Sequence, residues 1–181
     1  LRPQFAELRS KALLKRKNTA VIQNILISMG GSDKNNVTYD ILQQLDDDFN
    51  IVVVLGGASQ HKKMIQKYVK DKNIKVKIIV NADNMAELML NADVAIGAGG
   101  VTSLERCCLG LPTFLYVLSV NQRAIAENLE NLGVVIIVRN LQDNLQTMLN
   151  DFKLWQNMSD KGQNICDGTG LNKVLSKLCQ T

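Results

Sequence analysis

Two glycine-rich turns carry the residues most able to do chemistry in this chain. The segment GAGGVTSLERCCLGLP occupies residues 97–112, and the segment ISMGGSD occupies residues 27–33. Each turn follows an apolar, β-branched run and precedes an amphipathic run, which predicts a strand, a tight turn and the start of a helix. Because a helix start presents unpaired N–H groups and about half a positive charge, each turn is a candidate anion site. Two such sites facing one crevice would suit a diphosphate.

Residues around the turns extend the candidate site. Gly30 and Gly31 permit a positive φ and let a ligand approach the backbone. Ser32 is placed either to cap the next helix or to donate to a phosphate. Thr102 and Glu105 have the T-x-x-E spacing of a capping box, in which the glutamate bonds the N-cap amide. Glu105 is therefore either a capping residue or the acceptor of a sugar hydroxyl, and the sequence leaves both open.

Other polar residues indicate a function less specifically. Asn121 and Gln122 open a helical run, where their amides either bond sugar hydroxyls or face solvent, and Arg123 is either a phosphate ligand or solvated. His61 is the only histidine. No second histidine or cysteine completes a triad with it, and no carboxylate cluster indicates a metal. The sequence predicts a binding site with no metal, no cofactor and no evident general base.

The hydrophobic pattern predicts the elements that position these turns. Strand-like runs alternate with runs of helical period, which is typical of βαβ units. Continuously apolar runs such as IVVVL indicate strands covered on both faces. We predict one α/β domain over residues 1–181, a Rossmann-like doubly wound parallel sheet of about six strands with ligands beyond the strands' carboxyl ends. The predicted strands are residues 24–29, 50–55, 75–80, 93–97, 112–117 and 134–138. The predicted helices are residues 1–17, 37–45, 61–69, 85–91, 102–109, 124–132 and 141–150, with further helical stretches in the tail on either side of residues 167–170.

Composition excludes several classes of protein. The chain has 181 residues, of which 46% are hydrophobic and 4% aromatic, and its formal charge is +4. This charge is too small to indicate nucleic acid, and few aromatics argue against base stacking. No apolar run reaches the ~20 residues that span a bilayer, and the first residues lack the apolar core of a signal peptide. The four cysteines lack C-x-x-C spacing, so we expect free thiols and a cytoplasmic protein.

The motifs together resemble a known family. Gly30–Asp33, the segment of residues 80–112 and NQRAIAENLENLG at residues 121–133 resemble the C-terminal half of the UDP-sugar hydrolase of pseudaminic acid biosynthesis. They also resemble the related spore-coat polysaccharide proteins, and LRPQF at the start looks like that family's passage into its second half. The resemblance covers roughly residues 1–140. More distantly, the chain is similar to the MurG-type glycosyltransferase, and both groups have the two-domain GT-B architecture.

The resemblance implies a UDP-binding domain. Glu105 would accept the ribose hydroxyls, Ile79 and Val80 would meet the uracil, and the amides of residues 121 and 122 would lie near the sugar or phosphates. The residues that would surround the diphosphate are Gly30, Gly31, Ser32, Gly99, Gly100, Val101 and Thr102. A UDP-sugar would be the substrate.

The resemblance also implies a missing partner. The hydrolase takes its catalytic histidine from the N-terminal half, and His61 does not match that position. The chain begins with Leu rather than Met, so we expect a fragment that works with an N-terminal domain or a partner subunit and is inactive alone. The main prediction is the UDP-binding domain of a UDP-sugar hydrolase, and the alternatives are that of a MurG-like glycosyltransferase and a non-catalytic nucleotide-binding subunit.

Overall fold

Six parallel strands form a central sheet in the computed structural model, which describes residues 1–31, 33–46, 48–72, 74–170 and 176. Each strand lies within one residue at either end of its predicted range, because long runs of Ile, Val and Leu favour the extended backbone where both faces are covered. The strands are β1 (Asn24–Ser28), β2 (Asn50–Leu55), β3 (Val76–Val80), β4 (Val94–Ala98), β5 (Thr113–Tyr116) and β6 (Val135–Ile137).

The strand order is β3-β2-β1-β4-β5-β6, that of a doubly wound sheet. The chain runs outward from β1 to β3 and then returns to the middle, where β4 pairs with β1 from Ile25 beside Val94 to Ser28 beside Gly97. The loops after β1 and β4 therefore diverge to opposite halves of the sheet. The predicted fold class is confirmed, and a crevice is expected where these two strands end.

Helices cover both faces of the sheet. They are α1 (Pro3–Asn18), α2 (Val37–Leu42), α3 (Lys62–Lys72), α4 (Met85–Asn91), α5 (Thr102–Cys108), α6 (Val120–Asn131), α7 (Leu141–Asn150) and α8 (Phe152–Ile165). Helix α2 ends at Leu42 rather than Leu45, and α6 begins at Val120 rather than Ala124, so residues 121 and 122 lie in its first turn. None of the helices in these described ranges is long and apolar enough to cross a membrane.

Separate apolar clusters lie on the two faces. On one face, Ile27 and Val53 belong to a cluster with Trp155 of α8, whose ring is 1% exposed and stacks on Phe152. Its Nε1 donates to the carbonyl of Asp93 at 2.8 Å, just before β4 begins. On the other face, Leu26 belongs to a cluster with side chains of α1 and α4, among them Phe5 and Met89. Each fully buried side chain of this size contributes ~1.5–3 kcal/mol.

Helix α1 is attached to the C-terminal end of α4 by a buried cation in its own last turn. Arg16 is 3% exposed, and its guanidinium donates to the carbonyls of Ala92 and Met89, where α4 ends. Lys15 forms an ion pair with Asp93 at 2.8 Å. A cation suits the negative end of a helix, and burial lowers the pKa of Arg16 to about 10, so it stays charged at neutral pH. These bonds fix α1, and with it the first residues of the chain.

Candidate functional site

A cleft of about 510 Å³ opens at the carboxyl ends of β1 and β4. Its walls come from the loop after β1, the turn after β4 and the start of α6. The lining residues are Ser28, Met29, Gly30, Gly31, Asp33, Lys34, Asn35, Val37, Ala98, Gly99, Thr102, Arg106, Leu118, Ser119 and Gln122. Both predicted glycine turns therefore meet in one crevice at the edge of the sheet where doubly wound folds bind ligands.

The turn after β1 presents bare backbone to the cleft. Gly30 has a φ of +90°, which favours glycine, and a Cβ on either Gly30 or Gly31 would meet nothing within 4 Å. The turn also packs on the loop after β2, because a Cβ on Gly56 would lie 2.1 Å from the Gly31 carbonyl oxygen. The close packing holds this turn in place while its open side lets a ligand approach. Ser32 lies outside the described residues.

The start of α2 is not an open anion site, and this part of the prediction is wrong. The carboxylate of Asp33 accepts from the amides of Val37 and Thr38 at 2.9 and 3.0 Å. Asp33 is 5% exposed and has a φ of +39°, which lets its side chain turn back onto the helix. The first amides of α2 are thus satisfied within the chain, so a diphosphate at this turn would bond the glycine backbone instead.

The turn after β4 is divided between the cleft and the outer surface. Gly99 and Thr102 line the cleft, whereas Gly100 and Val101 lie outside its lining. Gly100 has a φ of +149°, and Val101 is 74% exposed. Helix α5 starts after Val101 without a side-chain cap, so Thr102 is its first residue and not its N-cap.

Glu105 is held by a residue from the start of the chain. Its carboxylate oxygens accept from Nε and Nη2 of Arg2 at 2.8 and 3.0 Å. The Glu105 side chain is 5% exposed and that of Arg2 is 51% exposed. Arg2 also lies over the ring of Phe5 at 4.9 Å, and the hydrogen bond to Glu105 raises the pKa of Arg2.

The capping box therefore does not form, because the Glu105 carboxylate reaches α1 rather than the start of its own helix. Glu105 lies beside the cleft without lining it. Its role toward ribose stays a prediction, and a diol that bonded both of its oxygens would compete with Arg2.

Arg106 is a lining residue that sequence reasoning missed. It is 3% exposed, and its Nη1 donates to the Ala98 carbonyl at 3.3 Å. A Cβ on Gly97 would lie 2.2 Å from its Nη2, so the glycine in β4 makes the room for this guanidinium. Burial lowers the pKa of Arg106 to about 10, so it is protonated at neutral pH. Its position four residues after Thr102, on the same helix face, could have pointed to it.

The start of α6 closes the third side. The side-chain oxygen of Gln122 accepts from the Leu118 amide at 2.9 Å, which orients this side chain at the cleft wall. Asn121 lies outside the lining, and its side-chain oxygen accepts from the Ser119 hydroxyl. Arg123 is exposed and is not a lining residue either. Of this predicted group, only Gln122 lines the cleft.

The remaining candidates lie farther along the sheet edge. Ile79 and Val80 end β3, which is separated from β1 by β2, and they do not line this cleft. Their contact with a uracil stays a prediction. His61 is partly exposed, with Nε2 3.1 Å from the Lys34 carbonyl oxygen. Within the residues that the structure describes, no group of three or more His, Cys, Asp or Glu could hold a metal.

Comparison with known proteins identifies the domain. The model of the glycosyltransferase family 28 C-terminal domain matches residues 6–164. The chain belongs to this family. It is 28% identical over 98% of its length to the spore coat polysaccharide biosynthesis protein SpsG of Bacillus subtilis, of which it covers 55%.

A second group of relatives consists of transferases. The chain is 29% identical over 83% of its length to the UDP-N-acetylglucosamine–N-acetylmuramyl-(pentapeptide) pyrophosphoryl-undecaprenol N-acetylglucosamine transferase of a Thermoanaerobacter species, of which it covers 46%. Across its first curated relatives, the chain spans between 26% and 55% of the relative's length.

Among solved structures, the fold is similar to that of MurG from Acinetobacter baumannii. The TM-score is 0.69 at 20% identity, and the match covers 94% of this chain and 53% of the MurG chain. The domain is thus a GT-B C-terminal domain in its architecture.

Proposed function

We propose that this chain is the UDP-sugar-binding domain of a glycosyltransferase. One observation carries the proposal: both glycine turns and Arg106 line a single cleft at the ends of β1 and β4, in a domain of glycosyltransferase family 28. The transferase relative carries UDP-N-acetylglucosamine in its name, which supports a UDP-linked donor.

The cleft suits the charge that develops during glycosyl transfer. As the bond from the anomeric carbon to the diphosphate breaks, negative charge accumulates on the leaving UDP, and fixed donors stabilise it. In this proposal the backbone of Gly30 and Gly31 lies against the diphosphate, with Gly99 to Thr102 on its other side. Glu105 accepts from the ribose, Ile79 and Val80 meet the uracil, and Gln122 bonds the sugar or phosphates.

The acceptor and the base belong, in this proposal, to an N-terminal domain or a partner subunit. Among the described residues that line the cleft, the carboxylate is that of Asp33. Both of its oxygens accept hydrogen bonds from backbone amides of α2. A group that is engaged in this way is poorly placed to take a proton from an acceptor hydroxyl.

A second candidate is a UDP-sugar hydrolase of surface polysaccharide or nonulosonic acid biosynthesis, in which water replaces the acceptor. The match to SpsG along 98% of the chain favours it, because the spore-coat proteins and the hydrolase share the motifs described above. The transferase is better supported because both the family and the named transferase relative carry that activity in their names. A non-catalytic nucleotide-binding subunit would show UDP binding without turnover in any partner.

An NMR titration tests the binding function. UDP, CMP, NAD and free N-acetylglucosamine are added in turn to the ¹⁵N-labelled chain. We expect UDP to shift the amides of Gly31, Gly99 and Thr102 at micromolar to millimolar concentration, about −8 to −4 kcal/mol, with smaller effects of the other ligands. The amides of Asn24 and Asn50, which begin β1 and β2 at the edge of the sheet opposite the cleft, serve as internal controls. A folded sample with no UDP-dependent shifts at the cleft would contradict the proposal.

Incubating the parent protein with a UDP-sugar separates the two activities. Release of UDP that requires an added acceptor supports the transferase, whereas release in buffer alone supports the hydrolase.

A further inference from the structure

Arg106 is a buried cation without a carboxylate partner in the described part of the chain. Its side chain is enclosed, at 3% exposure, yet the ion pairs of those residues join Arg2, Lys15 and Arg139 to acids and do not include it. A charge removed from water destabilises a fold unless another charge or a set of good hydrogen bonds replaces the lost hydration. Among the described residues, Arg106 donates one hydrogen bond, to the Ala98 carbonyl at 3.3 Å.

The acidic groups around Arg106 are engaged elsewhere. Asp33, across the cleft, has both oxygens on the amides of Val37 and Thr38. Glu105, which acts on Arg106 electrostatically, has both oxygens on Arg2. Burial raises the pKa of the neighbouring Cys107 thiol to about 11, so this group is neutral at pH 7. The positive charge of Arg106 is therefore available to a group that enters the cleft.

The structure has space for the Arg106 guanidinium inside the domain. Its Nη2 occupies the space that a Cβ on Gly97 would take, at 2.2 Å. A guanidinium has five N–H donors in a planar fork that matches the oxygens of a phosphate. Arg106 reaches the cleft beside Thr102 and Gly99, and the cleft volume of about 510 Å³ has room for a diphosphate.

We propose that Arg106 binds a phosphate group of the nucleoside diphosphate in this cleft. The proposal rests on the proposed function, and it adds the residue that recognises the charge of the leaving group. It makes Arg106 the determinant by which the cleft prefers a diphosphate to an uncharged nucleoside. The same chemistry would bind free pyrophosphate, which provides a probe that does not depend on the uridine.

Calorimetric titration of the 181-residue chain and three variants tests the proposal with UDP, uridine and inorganic pyrophosphate. Arg106→Met removes the charge and keeps the length, and we expect at least about a tenfold loss of UDP affinity, unchanged uridine affinity and no pyrophosphate binding. Arg106→Lys keeps the charge but not the fork, and its losses should be intermediate. Arg123→Met removes an exposed arginine outside the cleft lining and should behave as wild type.

Thermal melts distinguish this role from a structural one. Since the buried charge has no carboxylate partner among the described residues, Arg106→Met should melt no lower than wild type without ligand, and pyrophosphate should no longer raise its Tm. A structural arginine would give a lower Tm and an unchanged response to pyrophosphate. If Arg106→Met does not fold, Arg106→Lys decides the matter by its UDP and pyrophosphate affinities.

The outcomes separate this proposal from the proposed function. Variants that bind both phosphate probes within about twofold of wild type would overturn the role of Arg106 and leave UDP binding intact. A wild type that binds pyrophosphate through Arg106 but prefers no uridine nucleotide would uphold this role and contradict the proposed function. A folded wild type that binds neither probe would overturn both.

Discussion

Glu105 and Arg106 are adjacent in sequence but serve different partners. The helix turns them apart, so that Glu105 reaches Arg2 of the N-terminal segment while Arg106 reaches the cleft. Arg2 bonds both carboxylate oxygens of Glu105 side-on, and a vicinal diol would have to bond the same two oxygens. Ribose binding at Glu105 would thus involve rearrangement of an ion pair whose arginine is half-exposed.

We predict that Glu105→Gln weakens UDP binding by about tenfold, because charge-assisted bonds to ribose hydroxyls contribute roughly 1.5–3 kcal/mol. Titration calorimetry and thermal melts of the variant measure affinity and stability separately. Glu87→Gln, an exposed change on α4, is the control. An unchanged UDP affinity with a lowered Tm would leave Glu105 as a structural partner of Arg2 only.

Some of the cleft residues could be predicted from the sequence and others could not. The glycine turns could be predicted because the torsion angles that glycine allows and its missing side chain are properties of the residue itself. The role of Arg106 could not be predicted, because an arginine on an amphipathic helix ordinarily faces solvent. Its burial depends on the space that Gly97 leaves in β4, a different element. The contact between Arg2 and Glu105 could not be predicted for a similar reason, because the two residues are 103 positions apart in the sequence.

Among the elements, the strands were the most predictable and the helix starts the least. Short, β-branched apolar runs bounded by turn residues are typical of buried parallel strands. By contrast, the start of α2 depends on the φ of +39° at Asp33 and on its two hydrogen bonds, which no periodicity encodes. Helix α1 was predicted as a helix over residues 1–17, but its attachment through Arg16 was not predicted.

We predict that Arg16→Met lowers the free energy of unfolding by ~1–3 kcal/mol, because the carbonyls that end α4 would lose buried donors. Chemical denaturation monitored by circular dichroism measures the change. Lys17→Met, at the exposed neighbouring position, should alter stability by no more than ~0.5 kcal/mol. Equal stabilities of the Arg16 variant and wild type would show that water replaces the guanidinium at these carbonyls.

At the scale of the whole molecule, the described chain bounds the cleft on three sides and leaves it open beyond the ends of the strands. The ends of the strands and their turns line it, and the chain covers about half of the transferase and spore-coat relatives that it matches. Such a partly open cleft is what one domain alone would show if the active site lay between two domains.

We therefore predict that the chain alone turns over no UDP-sugar, because none of the described cleft residues is an available general base. Incubation with UDP-N-acetylglucosamine and with a UDP-linked trideoxyhexose, followed by detection of UDP, measures this. Adding the proposed N-terminal domain or partner subunit in trans is the matched positive arm. Turnover by the chain alone at a typical enzymatic rate of about 1–10³ s⁻¹ would contradict the prediction.

The placement of Trp155 gives this protein a built-in optical reporter. It is the only tryptophan, its ring is sealed in the apolar cluster, and its Nε1 bonds the carbonyl that precedes β4, at the edge of the sheet opposite the cleft. Its fluorescence should shift to longer wavelength when the core opens to water and stay constant when a ligand fills the cleft. Emission can thus follow unfolding without a contribution from binding, which lets the stability of every variant be read in the presence of nucleotide.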